Sequence, residues 1–318
     1  MLFRSNRDIL KQRQQDDKIK ECHGDLHLKN ICLWHDKIQL FDRIEFNEEF
    51  RFVDVMYDIA FTVMDLEARN REDFSHIFLN SYLEQSGDWQ GLQILPLYLS
   101  RQAYVRAKVN SMLLDDQTVS QEQKQEAIAI ASDYYKLAWK YTKKQPGRLI
   151  LMSGLSGSGK TTVARQLVPK IKAIHLRSDA VRKHLAGIPL EVRGSDSLYT
   201  ADMNEKTYRR LLDLGKMLIQ EGYLVILDAK FDQRIWREQA MAIAQSEGVP
   251  FHIIYCTAPD TILIDRLAQR TGDISDATPD LLVQQQAIAE AFTEAENTHT
   301  ITVDTSKNNW LSQFDCWT

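Results

Sequence analysis

The sequence predicts an α/β protein in two parts: a smaller, mostly helical part over residues 1–145, then a three-layer α/β part with a parallel sheet over residues 146–318. Three observations carry that expectation. Apolar runs at Leu149 to Met152, Ala173 to Leu176, Tyr223 to Leu227, Phe251 to Tyr255 and Thr298 to Val303 alternate with helix candidates, as a parallel sheet requires. Between the first run and the helix-like Thr162 to Leu167 stands Gly154-Leu155-Ser156-Gly157-Ser158-Gly159-Lys160-Thr161, a full G-x-x-x-x-G-K-[ST]. Upstream, helical periodicity persists until Lys143-Lys144-Gln145-Pro146-Gly147-Arg148 interrupts it, which sets the boundary between the parts.

In chain order, Met1 to Lys20 is charged and glutamine-rich and lacks the apolar core of a signal peptide. Ile31 to Leu33, the turn His35-Asp36-Lys37, and Ile38 to Phe41 read as a short hairpin. Apolar spacing then predicts helices across Val53 to Leu66, Phe74 to Leu83, Leu95 to Leu114 and Glu122 to Tyr141. With 318 residues and 44% hydrophobic content the chain can bury a substantial core. A net charge of −5 offers no broad attraction for nucleic acid or an anionic membrane, so small-molecule partners are expected. No run is long and apolar enough to span a bilayer. Cys22, Cys32, Cys256 and Cys316 show no C-x-x-C spacing, which argues against a zinc knuckle or a disulfide framework and for a cytoplasmic protein. Oligomeric state is not encoded in any of these features.

The glycine-rich segment has the order that phosphate binding demands. Glycines let the main chain wrap an anion while loop N–H groups and the helix N-terminus face it. Lys160 reaches the outer phosphates and Thr161 can hold Mg²⁺. Gly154, Ser156, Gly157, Ser158, Gly159, Lys160, Thr161 and Thr162 are therefore the expected nucleotide-binding set, with ATP and Mg²⁺ as cofactors.

Companion residues separate group transfer from a switch or motor. Asp179, at the end of the second strand, lies where ligands sit in open α/β sheets and can take a proton from an acceptor hydroxyl. Arg182, a turn later, can bind the acceptor or a phosphate; a competing reading makes Ser178 or Asp179 a helix cap. Asp228 closes the run Leu224 to Leu227 and is the second expected Mg²⁺ residue beside Thr161. Arg266 and Arg270, four apart on a helix candidate, precede the polar segment Thr271 to Asp276, which reads as a lid carrying catalytic cations. Arg234 and Arg237 carry the same suggestion with less support.

From GLSGSGKTT, SDAVR, LVILDAKF and RLAQR, the second part resembles the AAA-like predicted kinases related to polynucleotide kinases, gluconate kinases and zeta toxins. That resemblance implies a phosphotransferase with a sheet ordered 2-3-1-4-5, Asp179 as the acceptor-side carboxylate and Arg266 or Arg270 as the lid cation. Lys230 departs from it, standing where a small hydroxyl residue is expected.

In the first part, His23-Gly24-Asp25-Leu26-His27-Leu28-Lys29-Asn30 has the form H-x-D-x-x-x-x-N, followed by the hairpin and Phe41-Asp42. Over Glu21 to Ala60 this resembles the aminoglycoside phosphotransferase family, which implies a fold like the C-terminal lobe of a kinase. In such a loop Asp25 orients a hydroxyl, Asn30 and Asp42 hold metal, and His23 braces the turn. Met1 to Lys20 contains no glycine, so no roof for an ATP cleft is expected. The first part then reads as a remnant, inactive alone, belonging either to a truncated two-domain protein or to a helical docking module. The expected activity is transfer of the γ-phosphoryl group of MgATP to a hydroxyl of a small molecule by the second part. Its rival is an ATP-binding regulatory or scaffold protein without transfer. Phosphorylation of polynucleotide 5′-hydroxyls is disfavoured by the acidic balance and by the lack of an aromatic and basic stripe.

Overall fold

The computed structural model describes residues 6–269, 272–276 and 278–317, with only the backbone at 196 and 197. The chain divides into two units, one of Met1–Leu79 and Asp88–Lys144, the other of Asn80–Gly87 and Gln145–Thr318. The division at Lys144 and Gln145 falls in the segment that breaks the helical pattern; Asn80–Gly87, sequence-local to the helical part, is grouped with the second unit through its contacts there.

In the first unit the expected hairpin forms from β2 (Ile31–Trp34) and β3 (Lys37–Leu40). The expected helices are α2 (Val55–Ala68), α3 (Glu72–Ser86), whose residues from Asn80 on are grouped with the second unit, α4 (Leu95–Met112) and α5 (Gln121–Lys140). Asp54 caps α2 through the Met56 N–H, and Ser120 with Gln123 forms a full capping box on α5. The N-terminal stretch holds two unexpected elements, α1 (Arg7–Gln15) and β1 (Ile19–Glu21), the latter antiparallel to β4 (Phe52–Asp54). Arg13 of α1 is 4% exposed and is clasped by the carboxylates of Asp54 and Asp88 at 2.6–3.0 Å. A helix with only Ile9 and Leu10 as apolar residues is thus pinned by one buried charge.

The second unit is a five-stranded parallel sheet of β5 (Arg148–Ser153), β6 (Ile174–Arg177), β7 (Leu224–Asp228), β8 (Phe251–Thr257) and β9 (Thr300–Asp304). Their spatial order is β6-β7-β5-β8-β9, which is 2-3-1-4-5 counted within this unit. Both faces are covered, which is why the strands read as continuous apolar runs. Ile150, Met152, Ile226, Ile254 and Val303 pack with Val163, Leu167 and Ile171 of α6 (Lys160–Ile171) and with Phe314. On the opposite face lies α8 (Ala201–Gln220): a Cβ at its Gly215 would stand 3.3 Å from the Leu227 side chain, so glycine lets this helix approach the sheet closely. The helices α7 (Ser178–Leu185), α9 (Arg234–Ser246), α10 (Asp260–Ala268), α11 (Leu281–Ile288) and α12 (Glu294–Asn297) complete the unit. The C-terminal ends of β5, β6 and β7 converge where the glycine-rich loop begins, the place where open α/β sheets bind ligands. No helix among the described residues is long and apolar enough to cross a membrane.

Candidate functional site

The glycine-rich loop joins β5 to α6 and is formed by local backbone requirements. Gly154 has φ +133°, and a Cβ there would lie 2.3 Å from the Cys256 carbonyl oxygen, so no other residue fits. Gly159, at φ +86°, caps α6 without any side-chain bond to the helix N–H groups. Those donors are left to a ligand, as in an anion site. Lys160 Nζ donates to the carbonyls of Gly154 at 2.9 Å and Leu155 at 2.8 Å, which fixes its ammonium over the loop with one of three hydrogens to spare. Burial lowers its pKa, against the opposing pull of Asp228 and Asp179. The loop's base is tied to the segment after β7 by Gly154 N–H to Lys230 O at 3.0 Å.

At the floor, Thr161 Oγ1 donates to Asp228 Oδ2 at 2.7 Å, and His175 Nε2 meets the same oxygen at 3.0 Å. Burial would raise the Asp228 carboxyl, but the hydrogen bond and charge of His175, with Arg177 and Lys160, outweigh it and hold it at about 2. Asp228 is therefore an anion across the whole physiological range. A hydroxyl and a carboxylate side by side form a hard-oxygen pair of the kind Mg²⁺ accepts when phosphates supply further ligands. Ser158 Oγ, buried in the loop with no hydrogen-bond partner among the described residues, is a further polar atom consistent with an anion cradle.

Lys160, Thr161, Thr162, Asp179, Asp228 and Arg266 line one cavity of about 1040 Å³. Asp179 sits in the first turn of α7 rather than on the strand; it caps nothing, because the N-cap is Arg177 and no side chain bonds there. Its half-buried carboxylate accepts no hydrogen bond among the described residues. Burial raises its pKa, and Arg177 and Arg182 partly counter that. Arg182 is turned inward, donating to Leu198 O at 3.0 Å and Asn204 Oδ1 at 2.7 Å. Lys230, where a small hydroxyl residue was expected, pairs with Asp232 at 2.9 Å on the wall of the same cavity.

Of the arginines suggested for a lid, the described ones, Arg266, Arg234 and Arg237, have different partners. Arg266 donates to Gly157 O at 3.3 Å and to Thr305 Oγ1 and O at 2.8 and 2.9 Å, so it braces the glycine-rich loop against the end of β9. The helix stops at Ala268, and Arg270 lies outside the described residues. Arg237 is no lid cation: it is 1% exposed and bound to Glu296 at 2.7 Å in the interior. Arg234 pairs on the surface with Glu238. The polar segment expected to form a lid carries Asp273, which binds Arg177, and Asp276, which accepts from the Gly194 N–H at 3.0 Å and the Tyr199 hydroxyl at 2.7 Å.

In the first unit the structure brings the kinase-like loop residues together. His23 Nε2 bonds the Phe41 carbonyl at 2.8 Å, beside Asp42, whose φ of +61° is unusual for a residue with a side chain. Asn30 Nδ2 donates to the Asp25 carbonyl at 3.0 Å, and Asp25 and Asp42 line a cavity of about 1110 Å³. Asp58 was not singled out by sequence; its carboxylate accepts the N–H groups of His23 and Gly24, both at 2.9 Å, and so fixes the loop from below. Its signal was a lone aspartate within the apolar Met56 to Phe61 helix. His175 gave less: one histidine in a buried strand, with its partner 53 residues away.

Residues 149–292 match the family model described as an AAA domain. An uncharacterized protein of Mycobacterium tuberculosis is 30% identical over 284 residues, covering 88% of this chain and 56% of the relative. The chain thus spans about half the length of the mycobacterial relatives it matches. An adenylyl-sulfate kinase of Myxococcus xanthus is 29% identical over 133 residues, covering 39% of this chain and 64% of that enzyme. Among solved structures, a sugar kinase from Janibacter aligns at 21% identity with a TM-score of 0.41, covering 54% of this chain and 94% of that one.

Proposed function

We propose that the second unit transfers the γ-phosphoryl group of MgATP to a hydroxyl of a small molecule. The observation that carries this reading is the convergence, in one cavity, of the Thr161–Asp228 pair, the Lys160 ammonium and an Asp179 carboxylate that accepts no hydrogen bond among the described residues. The match of residues 149–292 to the AAA domain and the likeness to an adenylyl-sulfate kinase support it.

The N–H groups of Gly157 and of Gly159 to Thr162, with the Lys160 ammonium, bind the phosphates, and Thr161 with Asp228 would hold the metal. Mg²⁺, when bound, shields the phosphate oxygens and the charge that builds on the leaving diphosphate. Asp179 accepts the proton of the acceptor hydroxyl as its oxygen forms the new bond to phosphorus and the bond to the β-phosphate oxygen breaks. Phosphoryl transfer asks for an oriented nucleophile more than for a strong base, and a carboxylate fixed in the first turn of a helix supplies orientation. Arg266 keeps the loop closed around the phosphates through its bonds to Gly157 and Thr305.

The test is incubation with γ-labelled ATP, Mg²⁺ and a pool of hydroxyl-rich metabolites, for the wild type and Asp179→Asn. A labelled product that falls about a hundredfold or more in the variant is the expected result. ATP binding without any labelled product, or transfer indifferent to Asp179→Asn, would overturn the proposal and favour a regulatory role.

A further inference from the structure

Gln285 of α11 is 6% exposed, and its Oε1 accepts the main-chain N–H of Ser156 at 3.0 Å. Ser156 is a residue of the glycine-rich loop, so a side chain 129 positions downstream reaches into the phosphate site. The contact is built from the helix outward. Leu282, one turn earlier on the same face, packs with Leu263 and Leu267 of α10, with Leu155 of the loop beside them. That apolar cluster seats α11 on the loop and delivers the Gln285 carboxamide to it.

A primary amide has one acceptor end and one donor end, and only the oxygen can take a main-chain N–H. The bond to Ser156 therefore settles which way the carboxamide is turned. Its Nε2 makes no hydrogen bond among the described residues and is not among the buried atoms lacking a partner, while the side chain lines the cavity shared by Lys160, Thr161 and Asp179. The amide's two hydrogens are thus presented to the cavity from a fixed anchor at the edge of the phosphate loop.

We infer that Gln285 Nε2 donates a hydrogen bond to the terminal phosphoryl group of the bound nucleotide, which makes Gln285 the residue that tells a triphosphate from a diphosphate. This inference rests on the phosphotransferase reading of the same site. A neutral donor anchored by the main chain needs no reorganisation as charge shifts on the transferring group, which suits it to stabilise that group during transfer.

Calorimetry with Mg²⁺ and either β,γ-imido-ATP or ADP tests it on the wild type, Gln285→Leu and Gln285→Glu. Leucine removes the donor. Glutamate can still accept from Ser156 N–H but turns a negative oxygen toward the phosphate. The expected dissociation constant for β,γ-imido-ATP rises about tenfold in the leucine variant and about tenfold again in the glutamate variant. The constant for ADP should stay within about twofold of wild type, which also reports that the variants are folded. Equal weakening of both nucleotides would reduce Gln285 to a prop for the loop, and unchanged binding of both would remove it from the site; either overturns the inference while leaving the phosphotransferase reading intact. A wild type that binds neither nucleotide would refute that reading itself, and Gln285's role with it.

Discussion

Replacing Asp228 by asparagine removes one negative charge from the floor of the phosphate site at nearly constant volume. The native carboxyl is held at about 2 rather than its ordinary 3.8, since the hydrogen bond and charge of His175, with Arg177 and Lys160, outweigh the burial that would raise it. A depressed folded-state pKa stabilises the fold at every pH above the unfolded value, and the contribution is lost as pH falls through the folded value. At about 1.36 kcal/mol per unit, the difference is worth on the order of 2 kcal/mol at neutral pH. Asp228→Asn should therefore lower the unfolding free energy of the second unit by roughly that amount at pH 7. Below the ordinary 3.8 the gap should narrow, and it should close near the folded value of about 2. The assay is urea unfolding of both proteins across that range, joined to calorimetry of ATP with and without Mg²⁺. The variant should lose most of the gain in affinity that Mg²⁺ confers on the wild type. A stability gap that does not change with pH, or a variant at least as stable as wild type at pH 7, would refute the electrostatic account of this site.

Two further outcomes follow from buried charge. Arg13→Met leaves the carboxylates of Asp54 and Asp88, 4% and 2% exposed, without their shared partner. The first unit should lose about 3–5 kcal/mol in urea unfolding, and Asp54→Asn combined with Arg13→Met should recover part of it; a loss below about 1 kcal/mol would contradict the pinned-helix description. Because burial raises Asp179 above its ordinary 3.8, the acid limb of the transfer rate should lie above that value and vanish in Asp179→Asn, and a limb at or below it would argue against Asp179 as proton acceptor.

Much of the second unit was legible because its strands are buried on both faces. The predicted run Leu149 to Met152 lies inside β5 (Arg148–Ser153), and the predicted Tyr223 to Leu227 is shifted by one residue from β7 (Leu224–Asp228). Covered faces force continuous apolar runs, and turns bound them sharply. The glycine-rich loop was legible for a related reason: the positive φ of Gly154 and Gly159 cannot be met by other residues at little cost, so the backbone requirement is written into the sequence. What stayed hidden depended on contacts between residues far apart in the chain. The α1 segment RDILKQRQQ reads as a solvated stretch until Arg13 meets Asp54 and Asp88, 41 and 75 residues on. Gln285, in LLVQQQAI, is one of three consecutive glutamines, and nothing local says which of them faces the loop. Helical spacing pointed to Arg266 but not to its bonds with Gly157 and Thr305, 109 and 39 residues away in the chain, while Arg270 lies outside the described residues.

The most direct test of the central claim is calorimetric titration of MgATP into the wild-type chain and into Lys160→Ala. If the glycine-rich loop is an anion cradle closed by the Lys160 ammonium, the wild type gives a saturable one-site isotherm, and the variant weakens it about ten- to a hundredfold through loss of a charged hydrogen bond. No heat of binding in the wild type, or an isotherm that Lys160→Ala leaves in place, contradicts it.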